Sequence, residues 1–420
     1  MNTIVIQGGR PLRGTVRISG AKNAVLPILA ASLLVEGETA LDGVPALDDV
    51  FTMGEVLAGL GARVDFQGGG RVVVGVNDLG TEAEYGHVRK MRASFLVMGP
   101  VVARLGRMRI SMPGGCAIGS RPIDLHLKGL CALGAQVKQH RGSIEVAVPG
   151  RGLAASSLYL DYPSVGATEN LMTAACLAQG ETVIENAASE PEIVDLANFL
   201  TAMGADITGA GTKVLRVCGP ARLRAVHYAV IPDRIEAGTF MVAAAMTRGE
   251  IQLENVKLEH LQAVTAKLRE AGVTVERSDN NAAWVSAAGR LRAVDVKTMP
   301  HPGFPTDMQP QLVAAMTVAD GTSVITETVF ENRFQHADEL KRMGANIKIE
   351  GHCAVIRGVP QLSGAPVRAT DLRAGAGLVL AGLVADGETR VLDARHLDRG
   401  YENLVRKMAG LGASIQRQYA

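Results

Sequence analysis

The stretch "LAGLGARV", Leu57 to Val64, carries one glycine between the end of an apolar helix pattern and the start of a strand pattern. The same pattern recurs at intervals of 68 to 73 residues, centred on Gly61, Gly134, Gly204, Gly272, Gly344 and Gly412. A glycine at this position is typical of a helix that ends in the left-handed conformation. Even spacing with matched flanks predicts a protein built from six repeats.

A second apolar helix precedes each of these patterns. It is clearest in "NLMTAACLAQ" at 170–179, "TFMVAAAMT" at 239–247 and "GLVLAGLVA" at 377–385. Helices that are apolar on every face lie inside a protein. The repeats therefore predict an α/β fold with buried helices and outer strands. We expect two groups of three repeats, one per domain, with a ligand cleft between them. An open solenoid of six stacked repeats is the alternative.

Charge and composition restrict the classes of partner. The 420 residues include 43 Lys and Arg against 42 Asp and Glu, so neither nucleic acid nor an anionic membrane is the expected partner. Aromatic residues make up 4%, which disfavours a base-stacking surface. The chain start lacks a signal-peptide pattern, and the apolar stretch Ala24 to Val35 is too short to cross a bilayer. We expect a cytoplasmic protein whose local basic clusters can bind small anions.

One cysteine, Cys116, lies among glycines and small residues in "SMPGGCAIGSRP", from Ser111 to Pro122. Because of this loop, the segment between the strand and the following helix is longer in the second repeat than in the other repeats. Exposure and a nearby cation, here Arg121, favour a thiolate. The loop predicts a reactive thiol, with a surface cysteine of no role as the alternative. The remaining cysteines lie in apolar or regular segments and are expected in the core. They are Cys131, Cys176, Cys218 and Cys353.

Cations recur at the starts of the apolar helices. Free backbone N–H groups at a helix N-terminus favour anions, so the pattern predicts an anion site rather than solvated surface charges. The matching positions hold Lys22, Arg92, Arg121 and Arg373.

An acid begins another apolar helix. Asp307 lies in "FPTDMQPQ", after a threonine and between two prolines. This pair either caps the helix or places a carboxylate where it can accept a proton from a substrate hydroxyl.

A series of motifs resembles the UDP-N-acetylglucosamine 1-carboxyvinyltransferase family of enolpyruvyl transferases. The resemblance runs in order from Lys22 to Glu402 and covers nearly the whole chain. The motifs are "SGAKNAVLP", "PGGCAIGSRPIDLH", "PSVGATEN", "EPEIVDLANFL", "PDRIEAGTF", "FPTDMQPQ", "VFENRF", "DLRAGAGLVLAGLVADG" and "LDRGYE".

The resemblance implies a specific form of the fold. Two similar domains would each be an inside-out α/β barrel of three repeats, with helices inside and sheets outside. Residues 22–229 would form the first domain and carry the Cys116 loop. Residues 1–21 and 230–420 would form the second, because the chain crosses between the domains twice. The active site would lie in the cleft between them.

The resemblance also implies the reaction. The enolpyruvyl group of phosphoenolpyruvate would move to the 3′-hydroxyl of UDP-N-acetylglucosamine with release of phosphate, through a tetrahedral intermediate. This is the first committed step of peptidoglycan synthesis. Cys116 would be the general acid on a loop that closes over the site, and Asp307 the base. Lys22 and Arg399 would complete the catalytic set.

The implied substrate-binding residues contact phosphate, carboxylate or the nucleotide sugar. They are Lys22, Asn23, Arg92, Arg121, Pro122, Ile123, Asp124, Leu125, Asp307, Val329, Arg373 and Arg399. Arginine forks match both anionic groups of phosphoenolpyruvate. The partners would be the two small-molecule substrates alone, with no metal, organic cofactor, nucleic acid or membrane. Tyr162 departs from the pattern, since some relatives have a basic residue there.

Two alternatives stay open. A shikimate-pathway enolpyruvyl transferase of the same fold would use the same cations with a different acceptor, although the Cys116 loop and "FPTDMQPQ" resemble the UDP-sugar enzyme. A non-catalytic nucleotide-sugar-binding protein would keep only the fold. Against that alternative, every expected catalytic position is filled in this chain.

Overall fold

The structure is a computed structural model that describes residues 2–83, 85–88, 91–112, 119, 123–140, 142–150, 152–279 and 281–419. Three residues predicted to lie in the site, Cys116, Arg121 and Pro122, fall outside this part of the chain.

The described residues form twenty-four strands. They are β1 Asn2–Gln7, β2 Arg13–Arg17, β3 Gly37–Asp42, β4 Arg63–Phe66, β5 Val72–Val76, β6 Glu82–Ala83, β7 Arg107–Ser111, β8 Gln136–His140, β9 Ser143–Ala147, β10 Ser157–Tyr159, β11 Gly180–Glu185, β12 Asp206–Thr208, β13 Val214–Gly219, β14 His227–Ala229, β15 Glu250–Glu254, β16 Thr274–Asp279, β17 Ala282–Ser286, β18 Val296–Lys297, β19 Thr322–Thr326, β20 Asn346–Glu350, β21 Cys353–Arg357, β22 Pro366–Arg368, β23 Glu388–Leu392 and β24 Ser414–Tyr419.

The same residues form thirteen α-helices and five short 3-10 helices. The α-helices are α1 Lys22–Ala31, α2 Asp48–Gly59, α3 Tyr85–Val88, α4 Met98–Leu105, α5 Asp124–Ala132, α6 Val165–Ala175, α7 Pro191–Met203, α8 Arg234–Met246, α9 Gln262–Glu270, α10 Gln309–Met316, α11 His336–Arg342, α12 Leu372–Val384 and α13 Leu404–Gly410. The 3-10 helices are Ser32–Leu34, Arg92–Val97, Leu258–Leu261, Thr306–Met308 and Ala394–Arg399.

Six four-stranded sheets repeat one plan within the described ranges. A parallel edge strand pairs with a central strand that follows the apolar helix. The central strand pairs antiparallel with a third strand, and the strand after the repeat glycine forms the other edge. The sheets are β14-β3-β5-β4, β6-β7-β9-β8, β10-β11-β13-β12, β2-β15-β17-β16, β18-β19-β21-β20 and β22-β23-β1-β24.

The chain divides into two compact units. The N-terminal unit takes the described residues from 20 to 112 and from 123 to 231, and the C-terminal unit takes residues 2–19, 119 and 232–419. Strands distant in sequence complete the sheets of each unit. In the N-terminal unit, β14 pairs with β3. In the C-terminal unit, β2 pairs with β15, and β1 pairs with both β23 and β24.

The apolar helices form the interior of each unit. Every residue of α8 after Arg234 is buried, and α12 is buried from Arg373 to Leu383. The strands alternate instead, as in β15, whose two buried residues point inward and whose other three are exposed. One contiguous apolar core lies in each unit. The predicted α/β architecture of buried helices and outer sheets is confirmed, and two compact units exclude the open solenoid.

All six repeat glycines adopt the predicted left-handed conformation, with φ between 90° and 116°. This φ range costs an L-residue with a β-carbon a steric penalty that glycine avoids. The glycines therefore end the second helix of each repeat and turn the chain into the following strand. No helix in the described part of the chain is long and apolar enough to cross a membrane.

Candidate active site

Two buried arginines hold the Asp307 carboxylate in the C-terminal unit. Arg333 Nη2 lies 3.1 Å from Oδ1, while Arg373 Nε and Nη2 lie 3.2 and 3.0 Å from Oδ2. The arginine side chains are 1% and 2% exposed, whereas that of Asp307 is 25% exposed. The carboxylate is therefore fixed from the protein side and open to solvent on the other.

The local fold places each partner of this ion-pair cluster. Asp307 lies in the 3-10 helix Thr306–Met308, directly before α10. Arg373 lies in the first turn of α12, where Asp371 Oδ1 accepts hydrogen bonds from the N–H groups of Arg373 and Ala374. Burial has the largest single effect and would lower the pKa of Arg373, but the Asp307 charge acts with Tyr401 and Asp233 to raise the pKa. Arg373 stays charged.

Aromatic rings cover both guanidinium groups. The Arg373 guanidinium lies 5.3 Å from the centroid of the Tyr401 ring, and that of Arg333 lies 5.4 Å from the Phe330 ring. The Tyr401 hydroxyl lies 3.0 Å from Gln311 Nε2. Burial raises the pKa of Tyr401, so its phenol is neutral. This shell restricts the motion of the arginines that hold Asp307.

The capping alternative for Asp307 finds no support. Neither the 3-10 helix nor α10 has a side-chain hydrogen bond at its N-cap, which is Pro305 in one case and Met308 in the other. The Thr306 hydroxyl instead donates to Glu327 Oε2 over 2.9 Å. Asp307 is placed by its arginines rather than by helix capping.

Two further residues of the predicted set lie in the C-terminal unit. Val329 is partly buried, and its N–H donates to Glu327 Oε1 over 2.8 Å. Arg399 ends the 3-10 helix Ala394–Arg399 and is partly buried. Burial, followed by the charges of Arg395 and Arg399, lowers the pKa of His396. The positive charge of Arg399 therefore disfavours the protonated form of the nearby His396.

In the N-terminal unit, a buried ion pair fixes Lys22. Its Nζ lies 2.5 Å from Asp49 Oδ2, with side chains 10% and 5% exposed. Lys22 begins α1, and Asp49 lies in the first turn of α2. A buried ammonium needs such a partner because desolvation is costly. Asn23 follows Lys22 on α1 and is partly buried.

The remaining predicted residues of this unit lie at helix starts. Arg92 is the first residue of the 3-10 helix Arg92–Val97 and is partly buried. Ile123 is the N-cap of α5, Asp124 is its first residue, and Leu125 follows. Asp124 is exposed, while the residues on either side are partly buried.

His126 packs inside the N-terminal unit. Its ring contacts Phe95 edge-on, with centroids 5.2 Å apart. Asn170 Nδ2 lies 3.0 Å from Nδ1. Because an amide N–H donates, Nδ1 accepts and the neutral ring carries its proton on Nε2. Burial and the Arg92 charge lower the pKa of His126 to about 4. These contacts and its burial show that His126 packs between helices of this unit.

The lowered pKa of the buried His126 predicts that the free energy of unfolding falls at acid pH. Between pH 7 and pH 5 the unfolded chain protonates this histidine and the native chain does not, so falling pH favours unfolding. We expect wild type to lose about 2 kcal/mol of unfolding free energy from this residue over that interval. His126→Gln should remove the loss, whereas the exposed His140→Gln should not. Urea unfolding at both pH values measures this, and an unchanged pH dependence in His126→Gln would contradict it.

The prediction that four cysteines lie in the core is wrong for most of them. Cys176 is buried on α6, whereas Cys131 and Cys218 are exposed and Cys353 is intermediate. Cys131 lies on an exposed face of α5, the second helix of its repeat. Cys218 occupies an exposed position of strand β13, in which buried and exposed residues alternate. The sequence pattern identified regular segments correctly but not the face that each thiol occupies.

Several residues that contact the predicted site residues were not identified from the sequence. Arg333 lies in "VFENRF" and Tyr401 in "LDRGYE", both of which were noted only as motifs. Asp49, the partner of Lys22, lies in an ordinary acidic helix start. These pairings depend on tertiary folding and leave no periodic signal in the sequence. Among the described residues, no group of three or more His, Cys, Asp or Glu side chains could hold a metal ion.

Comparison with known proteins identifies the family. The family model for EPSP synthase (3-phosphoshikimate 1-carboxyvinyltransferase) matches residues 6–408. A protein named UDP-N-acetylglucosamine 1-carboxyvinyltransferase 2 from Carboxydothermus hydrogenoformans is 59% identical over 99% of both chains. Proteins named UDP-N-acetylglucosamine 1-carboxyvinyltransferase 1 are similarly close. That of Halalkalibacterium halodurans is 58% identical over 99% of this chain and 94% of its own. That of Caldanaerobacter subterraneus subsp. tengcongensis is 57% identical over 99% of both.

Solved structures agree with this assignment. The enolpyruvyl transferase NikO from Streptomyces tendae superposes with a TM-score of 0.90 at 26% identity, covering all of this chain and 99% of its own. An EPSP synthase from Acinetobacter baumannii, at 20% identity and full coverage of both chains, has a TM-score of 0.79 and shares the fold. The chain belongs to the UDP-N-acetylglucosamine 1-carboxyvinyltransferases, within the wider EPSP synthase family.

Proposed function

We infer that this chain transfers the enolpyruvyl group of phosphoenolpyruvate to the 3′-hydroxyl of UDP-N-acetylglucosamine and releases phosphate. The observation that carries this function is identity of 57–59%, over 99% of the chain, to three proteins that bear the name of this activity. The reaction is the first committed step of peptidoglycan synthesis. The two substrates are the partners we propose.

We propose that addition and elimination proceed as follows. Asp307 accepts the proton of the 3′-hydroxyl, and the resulting oxygen attacks C2 of phosphoenolpyruvate. Cys116 donates a proton to the methylene carbon C3, which gives a tetrahedral intermediate. The Cys116 thiolate then takes back one methyl proton while phosphate leaves C2 with the electrons of the C–O bond, which forms the enol ether, and the Asp307 carboxyl releases its proton to solvent. Atoms and charges balance without a metal or an organic cofactor.

The geometry around Asp307 supports its role as base. Each carboxylate oxygen has two acceptor sites, and the arginines occupy those on the buried side. A quarter of the side chain is exposed, and we propose that the sugar hydroxyl approaches from that side. Fixed orientation favours proton transfer, because a positioned carboxylate pays no cost of reorganisation when the substrate binds.

Four cations are the proposed ligands of the anionic groups of phosphoenolpyruvate. We propose that Lys22, Arg121 and Arg399 hold the phosphate and carboxylate of phosphoenolpyruvate, with Arg373 beside them. Asn23, Arg92, the run from Arg121 to Leu125, and Val329 would then line the UDP-sugar. Charge-assisted contacts of this kind give both affinity and orientation.

Phosphate release tests this function directly. The purified chain is incubated with phosphoenolpyruvate alone, with UDP-N-acetylglucosamine, and with shikimate 3-phosphate. We expect release only with the UDP-sugar. Release with shikimate 3-phosphate would assign the other acceptor of this fold, and release with neither would indicate a binding protein without catalysis.

We propose that a small epoxide that mimics phosphoenolpyruvate, such as fosfomycin, alkylates Cys116 alone. Cys131 and Cys218 are exposed, so selectivity for Cys116 would require activation by the anion site rather than access. Burial raises the pKa of Cys176 to about 12, which leaves it unreactive. Intact-mass and peptide mass spectrometry should find one label on the Cys116 peptide and none on Cys116→Ser. A label on Cys131 or Cys218 would contradict this.

We also propose that the enzyme acts in the cytoplasm and supports cell-wall growth, cell shape and division. Both proposed substrates carry several negative charges and do not cross membranes unaided, which favours the compartment where they are made.

A further inference from the structure

One position of the fifth repeat differs from its equivalents in four of the other repeats. It is the residue directly after the central strand of each sheet. In four other repeats this residue is left-handed, with φ between 54° and 74°: Gly43, Asn186, Asn255 and Asp393. In the second and fifth repeats the residues are Met112 and Glu327, and neither has a positive φ. A departure from the repeat pattern marks a position with a separate role.

The usual role of this position is structural. Asn186 Nδ2 donates to the carbonyl of Leu160 over 2.7 Å, and Asn255 Nδ2 donates to that of Ile18 over 2.8 Å. Each acceptor directly follows the parallel edge strand of its sheet. In the fifth repeat the Thr328 hydroxyl makes this link, to the carbonyl of Thr298. Thr328 therefore makes the backbone link that the asparagines make elsewhere, and the Glu327 carboxylate, which also contacts the Thr298 hydroxyl, reaches beyond it.

Glu327 instead joins three segments of the C-terminal unit. Its Oε1 accepts from the Thr298 hydroxyl and the Val329 N–H, both over 2.8 Å. Its Oε2 accepts from the Thr306 hydroxyl over 2.9 Å. Thr306 directly precedes Asp307. One carboxylate thus holds the backbone of a proposed sugar-binding residue and the neighbour of the proposed base.

The burial of Glu327 makes these contacts strong and specific. The residue is 1% exposed. A buried carboxylate is costly unless donors surround it, and hydrogen bonds to a charged acceptor are stronger than neutral ones. The glutamate side chain is one methylene longer than asparagine and contacts Thr306. Asn186 and Asn255, at the equivalent position of two other repeats, instead contact the end of the edge strand. The contact with the Thr306 hydroxyl goes beyond the link to the edge strand that the asparagines make.

We propose that Glu327 is a positioning residue that sets the distance between Asp307 and Val329 and so aligns the UDP-sugar for proton abstraction. This inference rests on the proposed function, since it assigns these two residues to the sugar side of the reaction. Glu327 contacts neither substrate. It acts through Thr306 and through the backbone of Val329.

Steady-state kinetics for each substrate, with thermal unfolding, test the proposal. The variants are Glu327→Ala, Glu327→Gln and Thr306→Val. The matched control is Ser323→Ala on the same strand, β19, where a fully buried hydroxyl accepts from the Val294 N–H over 3.1 Å. Ser323→Ala removes one buried hydrogen bond in the same sheet without touching either segment of the site.

The expected effects separate positioning from stability. Glu327→Ala should lower kcat/KM for UDP-N-acetylglucosamine about 100-fold, the size expected for small misplacement of reacting groups, and leave the KM for phosphoenolpyruvate within about twofold. Glu327→Gln should have a kcat/KM about tenfold higher than that of Glu327→Ala, because the amide oxygen of glutamine still accepts a hydrogen bond from the Val329 N–H. Thr306→Val should lower kcat about tenfold without weakening UDP-sugar binding. Ser323→Ala should leave kcat and the KM values for both substrates unchanged.

Two results would overturn the proposal. One is a folded Glu327→Ala with the kinetics of Ser323→Ala, and the other is an equal rise of both KM values. If Glu327→Ala does not fold, Thr306→Val decides, and an unchanged kcat in that variant overturns the proposal. A wild-type chain that releases no phosphate with UDP-N-acetylglucosamine would refute the proposed function itself, whereas an active wild type with unaffected variants refutes only this role of Glu327.

Discussion

Cys116→Ser should lower turnover by about 10²- to 10⁴-fold, the range expected when a general acid is lost. A serine hydroxyl is a far weaker acid than a thiol, so protonation of the methylene carbon would fail. UDP-N-acetylglucosamine should still bind, because the thiol acts on phosphoenolpyruvate. Phosphate release measures turnover, and titration calorimetry with the UDP-sugar measures binding.

Cys131→Ser is the matched control for this substitution. Cys131 is exposed near the end of α5 and does not belong to the proposed site, so its loss should leave turnover unchanged. Cys116→Asp should retain activity, because a carboxylic acid can donate a proton in place of the thiol. Normal turnover in Cys116→Ser, or loss of its folded circular dichroism spectrum, would contradict a purely chemical role.

Asp307→Asn should lower kcat by about 10²- to 10⁴-fold, because an amide cannot accept the hydroxyl proton. The substitution has a second effect. Arg333 and Arg373 lose their anionic partner while they remain buried, and a buried charge without its partner costs about 3–5 kcal/mol of folding free energy. We therefore expect reduced thermal stability together with reduced kcat.

The two effects of Asp307→Asn can be separated. Asp295→Asn provides the control, since Asp295 Oδ1 accepts a hydrogen bond from the Val324 N–H over 2.7 Å away from the ion-pair cluster. Kinetics are measured well below the unfolding midpoint of each variant. A destabilised Asp307→Asn with normal kcat would show that the carboxylate only neutralises the arginines and that another group is the base.

The repeat architecture could be predicted because its signals are local. A helix that ends at a left-handed glycine is encoded within about eight residues, and all six predicted glycines adopt that conformation. The apolar helices likewise reveal burial through composition alone. The strand exchange between distant segments, such as β14 with β3, depends on tertiary pairing and leaves no comparable local signal.

The candidate site was only partly visible in the sequence. Lys22 and Asp307 stand out because a charge begins an apolar helix, and their catalytic roles stay predictions. Arg333 and Glu327 gave no such signal, since each acts through partners brought together by folding. The cysteines show the converse error. A thiol in a regular segment can lie on either face, and three of the four expected in the core do not.

The most direct test of the central claim is the structure of the reaction product. Phosphoenolpyruvate and UDP-N-acetylglucosamine are incubated with the enzyme, and the nucleotide product is analysed by mass spectrometry and NMR. The account predicts one enolpyruvyl ether on the 3′-oxygen of the sugar for each phosphate released. Phosphate release without this ether, or an ether on another oxygen, would contradict it.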